Sequence, residues 1–420
     1  MDDGASGAIT AAIAAARALD WRDPVFREQT EYATYRQLHT IEPQRSDVNG
    51  EWHFVRYRDC REAFQSPLLF SNDFSDTGGG QSNVIPENSD GAAHREYRRL
   101  LDPMFHPKLM DELVPAMRTF ARELLTPLTG RDRCDIVAEF TMPFPTITFC
   151  RLMGFPISDH PTLMRWKDIY LNSTSPLIAD RLGVTERDDR NRPTPAALAA
   201  LVGEATAQIS AYLMALIEAR RSRPEDDLLT RLVSARRVDG NPFTDTELMQ
   251  ISFNLFLGGL DTVTGLLSFV VRDFALRPDR RAAFTAIMHD DRKVTTAVEE
   301  LVRLHSIVSI PRRVIHDHDF HGAALRAGDV VQVMTPGADR DPARFDDPDE
   351  LDLARSPNPH LGFGLGVHRC LGIHLARREI AVALRELHEM MPDYTLDPEH
   401  PAQIGSGGVR GLLTLPLRLS

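Results

Sequence analysis

The stretch "PHLGFGLGVHRCLGIHLARRE", residues 359–379, gathers glycines and basic residues around one cysteine, Cys370. Gly364, Gly366 and Gly372 allow the backbone a positive φ or a close approach to a flat partner, both of which a Cβ would hinder. The sequence after Cys370 is strongly helical, so the thiol is expected near a helix N-terminus, where the macrodipole and free N–H groups stabilise a thiolate. The segment therefore predicts a ligand that holds one soft metal centre through a single bond.

Three simpler interpretations of the same segment compete with a metal ligand. A lone cysteine is most often a small buried apolar residue. A glycine-rich turn before a helix is most often a phosphate loop or a plain turn. A nucleophilic cysteine needs a histidine base, for which His368 is the nearest candidate. None of the three accounts for the whole string.

The composition is that of an ordinary globular protein. The chain has 420 residues, 42% of them hydrophobic and 26% charged, so it can bury a large core. No Gly/Ser-rich linker, repeat or low-complexity segment divides it, which predicts a single domain over residues 1–420. The net charge of −12 argues against a general nucleic-acid-binding surface.

Two features predict a cytoplasmic protein that does not bind a membrane. The early apolar run "AITAAIAAARALDW" contains Arg17 and lacks a basic leader or a clear cleavage site. It therefore predicts an amphipathic helix, neither a signal peptide nor an anchor. Four cysteines, no two at C-x-x-C spacing, do not make a disulfide framework and fit a reducing cytosol. They are Cys60, Cys134, Cys150 and Cys370.

Hydrophobic periodicity predicts a mainly α protein with a minor β region. Apolar residues recur at helical spacing in four long segments, and strand-like alternation is confined to short pieces far apart in the chain. Between residues 326 and 359, Pro, Gly and Asp predict a long irregular connection that leads to the cysteine segment. The helical segments are residues 109–128, 194–222, 245–276 and 294–307, and the strand-like ones are 52–57, 312–320, 328–335 and 411–419.

The string "FGLGVHRCLG", residues 363–372, resembles the haem-binding loop of the cytochrome P450 family, F-G-x-G-x-H-x-C-x-G, at every fixed position. The resemblance implies that Cys370 is the proximal thiolate ligand of the iron of haem b, whose electron donation favours O–O cleavage in bound O2. It also implies that Phe363 and Gly364 lie beside the porphyrin and that His368 hydrogen-bonds a haem propionate.

A second segment, "EELVR", places Glu300 and Arg303 three residues apart on a helix, close enough to pair. Taken alone, such a pair is usually a solvated surface feature. In the family it is buried and anchors the chain before the haem, and a third arginine joins it. The resemblance implies Arg344 for this third position, with Arg355 as the second candidate.

A third segment, "LFLGGLDTVTGLLSF" at residues 255–269, sets an Asp and a Thr inside an apolar helix, where both are unfavourable. The simple interpretation is a satisfied polar pair, with Thr262 bonding back to a carbonyl one turn earlier. The family pattern [AG]-G-x-[DE]-T implies instead that Gly258 and Gly259 thin the helix over the haem. Asp261 and Thr262 then steer protons to bound O2.

Cations that would face the haem propionates come from two further segments. In "HREYRRLLDPMF", His94 and Arg98 are four residues apart and share a helical face, which suits an anion. Arg312, at the start of a strand-like run, matches the other propionate-binding arginine of the family.

The resemblance covers the chain from about residue 20 to the C-terminus and extends to the bacterial, soluble camphor hydroxylase branch, which shares "GGLDTV". It implies a triangular, α-rich cytochrome P450 fold with haem between the central helix and the helix after the cysteine loop. The implied reaction is the hydroxylation of a small hydrophobic substrate.

Electrons must come from a separate protein, because the sequence has no flavin or nicotinamide fingerprint and no cysteine cluster for an iron–sulfur centre. A basic patch on the cysteine side suits an acidic [2Fe-2S] ferredoxin, itself reduced by a ferredoxin reductase. The arginines of this patch are Arg95, Arg98, Arg99, Arg369, Arg377 and Arg378.

The residues implied over the haem are mostly aliphatic and of moderate size, which suits a compact apolar molecule such as a terpenoid or norisoprenoid. Camphor itself is disfavoured, because a serine and an asparagine replace a tyrosine and an aliphatic residue of that enzyme. A steroid or small aromatic substrate, a peroxide-driven enzyme and a haem-thiolate sensor without turnover remain alternatives. The implied pocket residues are Ser82, Val84, Ile85, Asn254, Leu257, Ile307, Val308, Gly408 and Val409.

Overall fold

A computed structural model describes residues 3–74, 84–189, 191–405 and 408–419, and side chains from residue 7 onward. The chain forms two compact units. The first comprises Met1–Gln81 and Asp290–Cys370, and the second comprises Ser82–His289 and Leu371–Ser420. Each unit is therefore built from segments distant in sequence, and the single domain over residues 1–420 stays a prediction.

Helices dominate both units, as the periodicity predicts. The α-helices are α1 Asp3–Arg17, α2 Glu31–Leu38, α3 Tyr57–Gln65, α4 Gly91–Leu101, α5 Pro107–Asp111, α6 Val114–Leu125, α7 Pro143–Met153, α8 His160–Asn172, α9 Pro176–Arg181, α10 Pro195–Ser222, α11 Leu228–Ser234, α12 Asp245–Leu276, α13 Pro278–Thr285, α14 Asp291–Leu304, α15 Thr335–Ala338 and α16 Ile373–Met390.

The strands are short. They are β1 Gln44–Arg45, β2 Trp52–Phe54, β3 Phe70–Ser71, β4 Arg133–Asp135, β5 Ser309–Val314, β6 His318–Phe320, β7 Ala323–Leu325, β8 Val330–Met334, β9 Tyr394–Leu396, β10 Gln403–Ile404, β11 Leu412–Thr414 and β12 Pro416–Leu419.

The first unit contains a five-stranded sheet of order β1-β2-β8-β5-β3. Its central strand, β8, pairs in parallel with β2, with Phe54 opposite Val333, although these strands lie far apart in the chain. Phe54 stacks on Phe320 at a centroid distance of 4.7 Å and packs edge-on against Phe70. The predicted sheet of sequence-distant strands is confirmed, and its hydrophobic core also contains Phe345 and Leu361 from the chain that leads to Cys370.

The central helix of the second unit, α12, spans the predicted range 245–276. A capping box begins it, because the Thr244 side chain accepts a hydrogen bond from the Glu247 N–H while the Glu247 side chain accepts one from Thr244. Helices α7, α10, α13 and α16 all contact α12, so that most of its residues are buried. An apolar helix enclosed in this way forms the core of the unit.

Two helices in the described part of the chain, α10 and α12, have the length and hydropathy of a membrane span. In α12, 67% of the most apolar window is buried inside the protein, against 22% in α10. Because the core helix of a soluble protein has the same composition, burial accounts for the apolar sequence of α12.

The predicted helix over residues 109–128 is divided in two. Helix α5 ends at Asp111 and α6 begins at Val114, with Pro115 in its first turn. Proline lacks the N–H that would continue the helix and is tolerated only in a first turn. The pattern of apolar residues crosses this break because both pieces pack against α16.

Helix α16 buries an acidic residue, Glu379, which is 2% exposed. Among the described residues, its Oε1 has no hydrogen-bond partner. Burial raises the pKa of Glu379 to about 8, well above the value of about 4.3 for an unfolded chain. The folded protein therefore holds a proton on Glu379 that the unfolded chain releases at neutral pH.

We expect the Glu379→Gln variant to gain stability over the wild type as the pH rises. A raised folded-state pKa makes the wild type lose free energy of unfolding from about pH 4 up to about pH 8, after which the loss levels off. Glutamine resembles the neutral acid and does not titrate. Urea unfolding at several pH values measures the difference between the two proteins. The Glu389→Gln variant, altered at an exposed position of the same helix, is the control, and parallel curves for Glu379→Gln and wild type would contradict the expectation.

Candidate active site

The cysteine loop of the first unit is shaped by two glycines with positive φ, Gly364 at +66° and Gly366 at +74°. A Cβ on Gly366 would lie 2.4 Å from the backbone oxygen of Phe64, so this position tolerates no side chain. The Cys370 N–H donates to the Phe363 carbonyl over 2.9 Å and closes the loop. Helix α16 begins three residues later, at Ile373.

Cys370 differs from the other cysteines in its exposure. Its thiol is exposed, whereas Cys60, Cys134 and Cys150 are buried. Burial raises the pKa of all three buried thiols, to about 12 for Cys134 and Cys150. Since the thiolate is the form that binds metals, Cys370 is the one cysteine of the four whose thiol a metal could reach.

Three predicted haem contacts lie in the same unit as Cys370. Phe363 is half-buried beside His360, with ring centroids 5.8 Å apart. His368 is half-buried at the end of a short turn, Gly366–His368. Arg312 is buried on β5, with its guanidinium 5.4 Å from the centre of the Phe64 ring. A buried cation in the unit that carries Cys370 is suited to an anionic ligand.

The Glu300 and Arg303 pair is fully buried, as the resemblance to the family implies. Arg303 donates two hydrogen bonds of 2.8 Å to the two carboxylate oxygens of Glu300. Its remaining donors reach the backbone oxygens of Asp339, Pro348 and Glu350. The arginine therefore joins α14 to the irregular chain that precedes the cysteine loop.

The carboxylate of Glu300 has further partners on this chain. It accepts hydrogen bonds of 3.0 Å from the Asp352 N–H and from the side chains of Arg355 and Asn358. Burial by itself would raise the pKa of Glu300, but Arg303 and these partners lower it below its usual range. A buried carboxylate with this many donors stays charged.

The third arginine of this network is Arg355, which corrects the prediction of Arg344. The Nε of Arg355 lies 3.0 Å from Glu300, and its side chain is 13% exposed. Arg344 is exposed in the turn that follows Asp341, and its guanidinium lies 5.5 Å from the centre of the Tyr57 ring. Spacing in sequence did not distinguish the two, because the turn carries Arg344 outward before the chain returns to Glu300.

Asp339, which was not predicted from the sequence, joins this network to the chain before the cysteine loop. Its carboxylate accepts a 2.6 Å hydrogen bond from the Leu361 N–H. Burial raises the pKa of Asp339 to about 6, against the lowering effects of His360 and of this hydrogen bond. No local pattern marks Asp339, because it follows a helix of only four residues, α15.

In the second unit, the predicted Asp261 is buried on α12 and paired with a residue that the sequence analysis missed. The Nζ of Lys167, on α8, lies 2.9 Å from Asp261 and 2.7 Å from Asp168. Burial alone would lower the pKa of Lys167, but the two carboxylates raise it above its ordinary value. A signal was available, since Lys167 lies four residues after buried Leu163, on the apolar face of α8.

Thr262 and the two glycines of α12 serve different purposes. The Thr262 hydroxyl donates to the Gly258 carbonyl over 3.0 Å, the bond expected from the simple interpretation. Gly258 is exposed, whereas a Cβ on Gly259 would lie 2.6 Å from the Phe149 ring. The prediction that both glycines thin the helix over a cofactor is therefore corrected for Gly259, which lets α7 pack closely against α12.

The two cations predicted on α4 have different surroundings. His94 is 3% exposed. Arg98 lies one turn later, and its Nε is 2.8 Å from the carboxylate of Asp102. The two residues share a helical face as predicted, and Arg98 has an acidic neighbour that the prediction did not include.

The predicted pocket residues are distributed over both units, and Ser82 lies outside the described residues. In the first unit, Ile307 is buried and Val308 is half-buried. The second unit holds the others: Ile85 is buried, Val84, Asn254, Leu257 and Val409 are half-buried, and Gly408 is exposed.

Close packing holds the segment with Val409 against α12. A Cβ on Gly265 would lie 2.5 Å from the backbone oxygen of Arg410, and the Arg410 guanidinium lies 4.5 Å from the centre of the Phe269 ring. Two contacts on one face of α12 therefore determine the position of the chain next to Val409.

The arginines of the predicted basic patch are only partly available. Arg95, Arg99 and Arg369 are exposed, whereas Arg377 and Arg378 are half-buried. Arg378 donates to the Asp111 carboxylate over 2.8 Å. The exposed members are therefore the ones suited to a partner surface.

The residues present fit a haem. One exposed thiol on a loop turned by glycines offers a single soft ligand, and the close approach of Gly366 to Phe64 fixes that loop in place. Buried Arg312 and His94 provide cationic or hydrogen-bonding groups for carboxylates, each within its own unit. Cys370 would hold the iron, and Arg312, His94, Arg98 and His368 would hold the propionates.

We expect the Arg355→Met variant to lose about 2–3 kcal/mol of stability, because it leaves a buried carboxylate without one of its charged partners. Arg344→Met is the matched control, since it removes only an exposed contact with an aromatic ring, worth about 0.5–1 kcal/mol. Urea unfolding of both variants gives the two losses. Equal losses would contradict the assignment of Arg355 to the Glu300 network.

Comparison with known proteins identifies the family. The family model described as "Cytochrome P450" matches residues 70–390. The methyl-branched lipid omega-hydroxylase of Mycobacterium tuberculosis is 33% identical over 413 residues, which cover 96% of this chain and 92% of that protein.

Two solved structures share the fold over almost the whole chain. CYP109E1 from Bacillus megaterium, in complex with testosterone, gives a TM-score of 0.82 at 26% identity and covers 95% of this chain and 100% of its own. CYP101C1, from the camphor-type branch, gives 0.81 at 28% identity and covers 96% of this chain and 97% of its own. The predicted α-rich fold is confirmed, and the chain is a bacterial-type monooxygenase that belongs to the cytochrome P450 family.

Proposed function

We propose that this P450, whose cofactor is haem b and whose co-substrate is O2, hydroxylates a small hydrophobic molecule with electrons from a ferredoxin. The balanced reaction combines R–H, O2, two electrons and two protons to give R–OH and water. When bound, haem supplies the activation of O2. The observation that carries the proposal is the single exposed thiol, Cys370, on a loop held in position by glycines.

The protein contributes a proton path through Asp261 and Thr262. The Thr262 hydroxyl donates its proton in a hydrogen bond to the Gly258 carbonyl. The hydroxyl oxygen of Thr262 can therefore accept a hydrogen bond from a proton donor. Asp261 is bound to Lys167, and its carboxylate must release this lysine before it can carry a proton toward Thr262. Because Lys167 keeps a second carboxylate, Asp168, such a release does not leave the lysine unpaired.

Several side chains would orient the cofactor. Arg312, His94, Arg98 and His368 would hold the two propionates, and Phe363 and Gly364 would border the porphyrin that Cys370 would bind. Gly258, which is exposed on α12, would leave room for O2. The network of Glu300, Arg303 and Arg355 acts indirectly, because it supports the chain before the cysteine loop.

The substrate belongs to the terpenoid or norisoprenoid class by our proposal. Aliphatic Val84, Ile85, Leu257, Ile307 and Val308 favour a compact apolar molecule. Ser82, Asn254, Gly408 and Val409 complete the proposed pocket, and the Asn254 amide offers one hydrogen bond for orientation. A steroid is the second candidate, because the similar CYP109E1 structure holds testosterone.

The electron donor is an acidic [2Fe-2S] ferredoxin with its reductase, in the cytoplasm. Exposed Arg95, Arg99 and Arg369 provide positive charge on a protein of net charge −12. Such a patch attracts an acidic partner, and salt weakens the attraction.

A sensor without turnover is disfavoured, because a passive haem protein has no need for Asp261 and Thr262.

We expect Cys370→Ala to abolish the red-shifted Soret band that the reduced CO complex of a haem thiolate shows, because no other thiol is exposed. The same change at Cys60, Cys134 or Cys150 should leave the band in place. A normal band in Cys370→Ala would reject the haem-thiolate assignment.

The substrate class is tested on the wild type, by spin-state titration with small terpenoids, steroids and aromatics. A shift only with molecules outside the terpenoid class would reject the proposed terpenoid substrate.

We expect Asp261→Asn to lower product formation about a hundredfold, since it removes a proton carrier, while the haem-thiolate spectrum remains. Asp168→Asn is the matched control, because it removes the other carboxylate that binds Lys167. The measurement is the rate of product formation with NADH, a ferredoxin and its reductase. Equal losses in both variants would show that Asp261 acts only through packing around Lys167.

A further inference from the structure

A short hairpin joins α11 to α12 in the second unit and carries Arg237, which is not one of the proposed haem-binding residues. We call residues 235–244 the strap. Arg236 and Pro242 form an isolated β-bridge, and the Arg237 N–H donates to the Asn241 carbonyl over 2.8 Å. The Gly240 N–H donates a hydrogen bond to the Arg237 carbonyl over 3.0 Å. These bonds fix the backbone from which the Arg237 side chain extends.

The guanidinium of Arg237 binds two carboxylates from two different helices. One nitrogen donates to Glu96 of α4 over 3.0 Å, and another donates to Glu247 of α12. The guanidinium also lies 5.0 Å from the centre of the Phe243 ring. A planar group with several donors is suited to such bridging, which a lysine would not reproduce.

The contacts around Arg237 involve α4 at two adjacent residues. The Tyr97 hydroxyl donates to Glu247 over 3.0 Å, and the Val238 N–H donates to Glu96 over 3.4 Å. The side chains of Arg237, Glu96 and Glu247 are 25%, 27% and 13% exposed, so salt screens their attraction only in part. The strap thus binds α4 to the first turn of α12 through charge and hydrogen bonds.

The α4 residues that the strap and Glu247 bind lie between two residues proposed to bind the haem propionates. Glu96 and Tyr97 stand between His94 and Arg98 in the same three turns of helix, so a shift of one pair moves the other. Since Glu247 also caps α12, the arginine ties α4 to the start of the helix that carries Asp261 and Thr262.

We propose that Arg237 is a positioning residue of the haem site, which holds α4 so that His94 and Arg98 meet the propionates. The inference rests on the proposed function, since it takes His94 and Arg98 as propionate ligands. It assigns no chemistry to Arg237 itself. Loss of the bridge to Glu96 would let α4 move and would speed the release of haem.

The experiment measures the transfer of haem from the ferric holoenzyme to an excess of apomyoglobin. We expect Arg237→Gln to release haem about fivefold faster than the wild type, and Glu96→Gln to act on the same contact, so that the double variant is no faster than Arg237→Gln. Arg236→Gln is the matched control, because this neighbour bonds only carbonyls of residues 234 and 235 with its side chain.

A second variant separates positioning from general loosening. In a His94→Gln background, which already lacks one propionate contact, Arg237→Gln should add much less to the release rate than it adds in the wild type. An unchanged release rate in Arg237→Gln, or a full effect in the His94→Gln background, overturns the inference. Failure of the proposed function is seen separately, as a wild-type protein whose reduced CO complex lacks the haem-thiolate band.

Discussion

The buried ion pair of Glu300 and Arg303 is the interaction on which the first unit depends. Removing two charges from water is costly, and the pair is tolerated because every strong donor and acceptor finds a partner. Arg303 holds three backbone oxygens, and Glu300 binds Arg355 and two further donors. A chain without regular structure is thereby ordered up to the cysteine loop, where Gly366 must approach the Phe64 backbone closely. The position of Cys370 follows from this network rather than from a helix or strand.

The second unit also contains a buried carboxylate that is paired with a cation, here Asp261 with Lys167. A carboxylate in the middle of α12 would be unfavourable without a partner, and Lys167 supplies one from α8. Because that lysine binds two carboxylates, one of them can exchange partners at a lower cost than in an isolated buried pair. Under the proposed function, structural stability and proton transfer make opposite demands on Asp261, and the second carboxylate at Lys167 would reconcile them. In the strap, one cation likewise binds two carboxylates, because the partly exposed guanidinium of Arg237 lies between Glu96 and Glu247.

Local patterns predicted much of this. The ends of α12 agree with its periodic segment because a capping box and apolar spacing act over a few residues. The Glu300 and Arg303 pair followed from helical spacing, and the sheet from short alternating segments. The role of Gly259 and the choice of Arg355 over Arg344 did not follow, since each depends on a neighbour brought in by the chain path. The break between α5 and α6 has a local cause, Pro115, which the apolar periodicity across it obscured. The pocket and propionate roles stay predictions.

The sequence by itself determined the family and the helical framework and predicted Cys370 as the haem ligand, because these depend on fixed spacings and on periodicity within single segments. Only the tertiary structure decided which partners the buried charges take. Lys167 meets Asp261 across 94 positions, and Arg355 meets Glu300 across 55. Contacts of this kind depend on how the chain returns through space, and Coulomb attraction, which has no fixed spacing in sequence, leaves no local pattern to predict them.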